Sequence, residues 1–299
     1  KLTYYNESTE SRHLFILGSD FAQSMPGFRK RVSFHVSTGP ANGCHRRKQP
    51  PDVNCGSLTI PFVSSDAAHQ PDAITEIFAT SYKNEDSTRN FSIAAVMGTP
   101  PQLVLRRRFT EEKETLLGDS INGLPVSIHN IGERNRFLSS RQEVLDLYRN
   151  AMFVPILPGD DCGQKRFFDA IFSGSIPVVM SYDASDERGF PSFFKPNACS
   201  IRRSYPFMVG TFHGDINAGI DVRELVVRIN GTACGLECMK QTLEEVMSDQ
   251  ERLSSLRASI RRVVSLFSYG VAAPSLSNQQ SPDVFDALMV SIRHYLAHL

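Results

Sequence analysis

Residues 151–183 constrain the fold of this chain more than any other stretch: AMFVPILPGDDCGQKRFFDAIFSGSIPVVMSYD. An apolar run at 152–157 has strand length and is too short for a helix. Pro158, Gly159, Asp160, Asp161, Cys162 and Gly163 interrupt it with turn residues. From Gln164 to Ser173 the apolar side chains Phe167, Phe168, Ala170, Ile171 and Phe172 recur closely enough to predict a helix buried on a wide face. Gly174 stands where a helix ends in the left-handed conformation. A second apolar run, 176–180, follows. Two apolar strands joined by a helix predict parallel pairing with a right-handed crossover. Such sheets bind ligands beyond the carboxyl ends of their strands. The 158–163 loop lies at that end, and the next helix turns its free N–H groups and dipole toward it, an arrangement suited to a phosphate.

Two side chains fit that chemistry. Arg166 falls in the first helical turn, where a guanidinium can form charge-assisted bonds to a diphosphate. Asp169, three residues on, shares a face with it and is placed to accept from ribose hydroxyls. The alternative is an Arg–Asp pair on the surface of an ordinary buried helix.

LPGDDCGQKRFFDAIFSGSIPVV resembles the exostosin family of glycosyltransferases, whose signature is close to P-x-G-D-x-P-x-S-x-R-L-F-D-A-I-x-x-G-C-I-P-V-I. Gly159, Asp160, Arg166, Phe168, Asp169, Ala170, Ile171, Gly174, Ile176, Pro177 and Val178 match in register. The sequence departs from it at Leu157 and Cys162, where the family has Pro, and at Gly163 and Gln164, where it has small and often hydroxylated residues. Weaker likenesses flank this unit. A strand at 13–17 running into Asp20, the run 58–63, and the segment 89–98 ending in Gly98 resemble other family strands; Phe267 and Tyr269 match an "F-x-Y" ending, and Asp286, Ala287 and Leu288 a "DAL" close. The family's Trp beside the cleft has no counterpart, for the chain has no Trp.

The resemblance implies an α/β fold of GT-B type: two Rossmann-like halves with a cleft between them, the N-terminal half incomplete. It implies a nucleotide diphosphate donor, above all a UDP-sugar, and a glycan or glycoprotein acceptor. Arg166 would bind the diphosphate and Asp169 the ribose, while Gly98, Gly159, Asp160, Gly163 and Gln164 would surround the donor. Asp20 would be the base that takes the acceptor's hydroxyl proton in an inverting, metal-independent transfer; otherwise it caps the next segment. No cofactor is expected. A partner glycosyltransferase fits the second functional reading, a non-catalytic exostosin-like domain that binds glycan or stabilises a transferase. The departures at Gly163 and Gln164 and the missing Trp favour that second reading. A small-molecule Rossmann enzyme fits poorly, since no G-x-G-x-x-G lies between a strand and a helix.

Composition sets outer bounds. At 299 residues, 41% hydrophobic and 21% charged, the chain has globular values and room for two domains. Its net charge is zero, so no global field draws it to nucleic acid or a membrane surface. No apolar run of spanning length occurs. The chain opens at Lys1 without an initiator Met or signal peptide and reads as a piece of a longer, tethered protein. Cys234 and Cys238 lack the second pair a zinc site needs. Sequons begin at Asn6, Asn90 and Asn230. With the family resemblance, these point to the Golgi or endoplasmic reticulum lumen, where a Cys44–Cys55 disulfide is expected.

The expected division is residues 1–138 as an acceptor-side half, 139–273 as a nucleotide-sugar half, and 274–299 as linker and closing helix. Further strands are expected at 31–35, 124–128, 198–201 and 206–209. Helices are expected at 103–117, 141–150, within 221–230, at 236–247 and at 248–267.

Overall fold

The structure, a computed structural model, describes residues 15–17, 35–37, 57–59, 89–99, 103–131, 141–157, 165–181, 221–231, 233–267 and 288–289. Three short parallel strands, β1 (Phe15–Leu17), β2 (His35–Ser37) and β3 (Ser57–Thr59), form one sheet in that order. The second sheet has six strands: β4 (Phe91–Met97), β5 (Ser120–Ile121), β6 (Leu124–Asn130), β7 (Ala151–Ile156), β8 (Ile176–Ser181) and β9 (Val227–Asn230). Their spatial order is β5-β6-β4-β7-β8-β9, and every pairing except β5–β6 is parallel. The helices are α1 (Val104–Glu111), α2 (Lys113–Leu116), α3 (Arg141–Arg149), α4 (Lys165–Phe172), α5 (Met239–Ser248) and α6 (Gln250–Val263), the last running into a 3₁₀ turn at Val264–Phe267. The α/β class expected from the sequence is therefore the class observed.

The strand–helix–strand unit forms as the sequence predicts. All six residues of β7 are buried, the mark of a strand covered on both faces. Six of the eight residues of α4 are buried as well. Gly174 has φ +69°. Its N–H bonds the carbonyl of Ile171 and that of Ser175 the carbonyl of Ala170, the paired bonds of a Schellman close. The short link between β5 and β6 is an Asn–Gly turn, with Asn122 and Gly123 both at positive φ, the conformation such hairpins require.

Two expectations are corrected. The division at residue 138 falls inside one sheet: β4 pairs with β7, Phe91 opposite Ala151 and Ile93 opposite Phe153. β4 and β6 thus share a sheet with the signature unit. Where a helix was expected within 221–230, a 3₁₀ turn at Val222–Glu224 leads into β9. Val227 and Ile229 alternate with exposed Arg228 and Asn230 along a strand laid against β8. The expected strands at 198–201 and 206–209 lie outside the described residues. So does the closing helix except for Leu288 and Met289, of which Leu288 is buried in the core.

Both ends of α4 are pinned. Phe167 and Phe168 meet edge to face at 5.2 Å, and Phe267, from the turn after α6, packs on them at 6.4 and 5.5 Å. At the amino end of the sheet, Arg89 is 6% exposed. Its Nη1 donates to the carbonyls of Arg149 and Ala151, and its Nη2 to that of Gly174. Ser175 Oγ donates to the Tyr148 and Ala151 carbonyls beside it. One guanidinium thus ties the end of α3, the start of β7 and the turn after α4. Among the described residues no helix is long and apolar enough to cross a membrane.

Candidate functional site

The strand order reverses between β4 and β7: from β4 the chain steps outward to β6, then returns across β4 to β7, β8 and β9. That is the place where sheets of this kind open a crevice at their carboxyl ends. The register shows the opening. β4 stays paired with β6 as far as Met97 opposite Asn130, whereas its pairing with β7 ends at Ile93 opposite Phe153. The carboxyl-terminal part of β4 is thus turned toward the gap on one side.

Arg166 fills part of that gap. It sits in the first turn of α4, half-buried, and its Nε donates to the Val96 carbonyl at 3.2 Å. The Tyr148 hydroxyl, on α3, lies against the same guanidinium and the Val96 backbone. Tyr148 is 1% exposed. Burial pushes its phenol above the ordinary value, Arg166 pulls the other way, and the net shift is upward, so it stays protonated. Arg166 Nη1 is buried and has no hydrogen-bond partner. From α1, Arg106 Nη2 reaches the Leu157 carbonyl at 3.3 Å. The helices that follow β4 and β7 each send a guanidinium to a backbone carbonyl at the other strand's carboxyl end.

Asp169 does not pair with Arg166. Lys165 takes it instead, its Nζ 2.9 and 3.2 Å from the two carboxylate oxygens across one helical turn. The reason is geometric: Arg166 is drawn to the Val96 carbonyl, while the flexible Lys165 stem spans four residues to the carboxylate. Asp169 has only 12% of its side chain exposed, against 41% for Lys165.

Of the residues expected at the site, Arg166 and Asp169 occupy successive turns of α4, and Gly98 follows β4 at the same end of the sheet, half-buried. Asp20, Gly159, Asp160, Gly163 and Gln164 lie outside the described residues, as do Cys44 and Cys55. Three contributors were not foreseen. Lys165 was open to inference from its i, i+4 spacing to Asp169; Arg106 and Tyr148 join the site only through the fold.

Two further side-chain pairings stand apart from Arg166 and Asp169. On β6, Ser127 Oγ and His129 Nε2 are 2.9 Å apart, and burial, with Lys113 nearby, lowers the His129 imidazole below its ordinary value. After β9, Cys234 and Cys238 form a disulfide with 5.6 Å between Cα atoms, and Glu237 between them pairs with Arg108 of α1. Among the described residues no group of three or more His, Cys, Asp or Glu side chains is placed to hold a metal.

No protein-family model matches the chain, and no curated protein does. The exostosin resemblance therefore rests on the matched residues themselves. Among solved structures the chain is similar to an alpha,alpha-trehalose 6-phosphate synthase from Burkholderia multivorans, at 12% identity and a TM-score of 0.42. The superposition covers 96% of this chain and 66% of that one, so the chain spans just under two thirds of its length. A likeness of that size carries no conclusion about ligand or reaction.

Proposed function

We propose that the chain is an inverting glycosyltransferase of GT-B type that moves a sugar from a nucleotide diphosphate, of the UDP-sugar class, to a glycan or glycoprotein acceptor. The observation that carries this is Arg166 Nη1, buried without a partner at the opening between β4 and β7. A guanidinium fixed through Nε and left with an unused donor suits a diphosphate. Support comes from the residues that match the exostosin signature and from the position of Asp169 one turn deeper.

In this reading Arg166 takes the diphosphate and Asp169 the ribose hydroxyls. Gly98, Gly159, Asp160, Gly163 and Gln164 surround the donor, the glycines admitting its phosphates close to the backbone. Asp20 accepts the proton of the acceptor hydroxyl. The acceptor oxygen attacks the anomeric carbon from the face opposite the diphosphate and forms the new C–O bond. The old C–O bond breaks, its electron pair leaves with the diphosphate, and Arg166 stabilises the charge that develops there. Configuration inverts in that single displacement, and no metal is assigned a role. A lumenal setting, Golgi or endoplasmic reticulum, fits the exposed Asn90 and Asn230 that open two of the sequons.

One observation favours the second reading, a non-catalytic domain that binds glycan or stabilises a partner transferase: both oxygens of Asp169 are already engaged by Lys165. A thermal-shift screen of UDP- and GDP-sugars separates the two, followed by a transfer assay with the best binder. Donor-dependent sugar transfer supports the enzyme. Absence of both stabilisation and transfer leaves the binding domain.

A further inference from the structure

The first turn of α4 carries two cations with different commitments. Arg166 is tied to the backbone through Nε. Lys165 is half-exposed and reaches down one turn to a carboxylate that is almost wholly enclosed. Among the described residues Lys165 is the only side chain that hydrogen-bonds Asp169. An enclosed carboxylate without a partner is costly, so this contact has a task of its own. An ammonium on a flexible stem is also the kind of cation that can change partners without moving the helix. Arg166 brings one charge to a diphosphate that carries at least two, and Arg106 of α1 is bonded to the Leu157 carbonyl.

We infer that Lys165 is a latch on Asp169 that the donor's diphosphate opens. Before a donor binds, it neutralises Asp169. When the diphosphate arrives, the ammonium transfers to it, supplies the second positive charge, and frees Asp169 to accept from the ribose. This rests on the donor-site reading above and names what the site selects: a nucleoside that carries a diphosphate, over the same nucleoside without one. A bare nucleoside must compete with Lys165 for Asp169 and brings nothing to draw the ammonium away. A diphosphate gains twice, from Lys165 and from the released carboxylate.

The test is calorimetric titration of UDP and of uridine into the wild-type chain and into Lys165→Met, with melting curves to show that both are folded. The latch requires wild type to bind UDP far more tightly than uridine. In Lys165→Met, UDP should weaken by about tenfold or more, as expected for a lost charge-assisted contact, while uridine binds as well as before or better. Lys165→Gln, which keeps a donor near Asp169 but no charge, serves if the Met variant does not fold; it too should weaken UDP more than uridine. Equal proportional losses for UDP and uridine would show a structural ion pair and overturn the latch. Full UDP affinity in Lys165→Met, in a protein where Arg166→Ala loses it, would remove the latch and leave the donor site standing. A wild-type chain that takes up no UDP would remove both.

Discussion

Arg166 Nε and the Val96 carbonyl, 70 positions apart in the chain, are joined by a 3.2 Å hydrogen bond. That bond spans the place where β4 and β7 part, and it makes the first turn of α4 a fixed element of the crevice. A side chain anchored this way keeps its remaining donors aimed in one direction. Such preorganisation lowers the ordering cost when an anion binds.

At the other end of the sheet, Arg89 ties three segments together. Its guanidinium supplies the Arg149, Ala151 and Gly174 carbonyls in a buried setting. Arg89→Met would leave them with fewer partners, and each unsatisfied buried group costs about 1–3 kcal/mol. The expected loss is about 2–4 kcal/mol in urea denaturation, with no change in the affinity of the remaining folded protein for UDP. A loss below about 1 kcal/mol would mean that other groups take over those carbonyls.

Gly174 gives an internal control on the same turn. Its φ of +69° lies in the left-handed region, which costs an ordinary L-residue about 1–2 kcal/mol. Gly174→Ala should lower stability by at least that amount, because the position is also buried. An unchanged melt in Gly174→Ala would count against the Schellman close.

His129 predicts a pH dependence. Burial first, and Lys113 second, hold its imidazole below the ordinary value of 6.5. Above that value both the folded and unfolded states are neutral at this position, and its contribution is fully present. As pH falls through 6.5 the unfolded chain takes up a proton before the folded one, so stability drains away until the lowered folded value is passed. Melting temperature should therefore fall more steeply from pH 7 downward in wild type than in His129→Gln. Lys113→Ala should move the NMR titration of His129 upward. An imidazole that titrates at or above 6.5 in the folded protein would contradict the assignment.

Much of the local structure was legible in the sequence, because its causes are local. The run 152–157, the apolar face of α4 and the glycine after it specify strand, helix and stop from neighbouring residues alone. β9 was not legible: Val222, Leu225, Val226 and Ile229 fit a helical face as well as a strand, and the exposed edge of β8 decides between them. Nor was the grouping of strands into sheets. Nothing near Phe91 announces that it will lie opposite Ala151, so the division at 138 cut through a sheet. The partner of Asp169 turned on a contact outside the helix. Lys165 and Arg166 are both close enough by spacing, and the Val96 carbonyl, from another strand, claims one of them.

The central claim is that Arg166 binds the diphosphate of a nucleotide donor, and titration of UDP into folded Arg166→Ala tests it most directly. The substitution should leave a cooperative melt and remove one charge-assisted contact, worth about 1.5–3 kcal/mol. The predicted result is UDP affinity reduced by roughly 10- to 150-fold relative to wild type. Unchanged affinity in a folded Arg166→Ala protein would contradict the account.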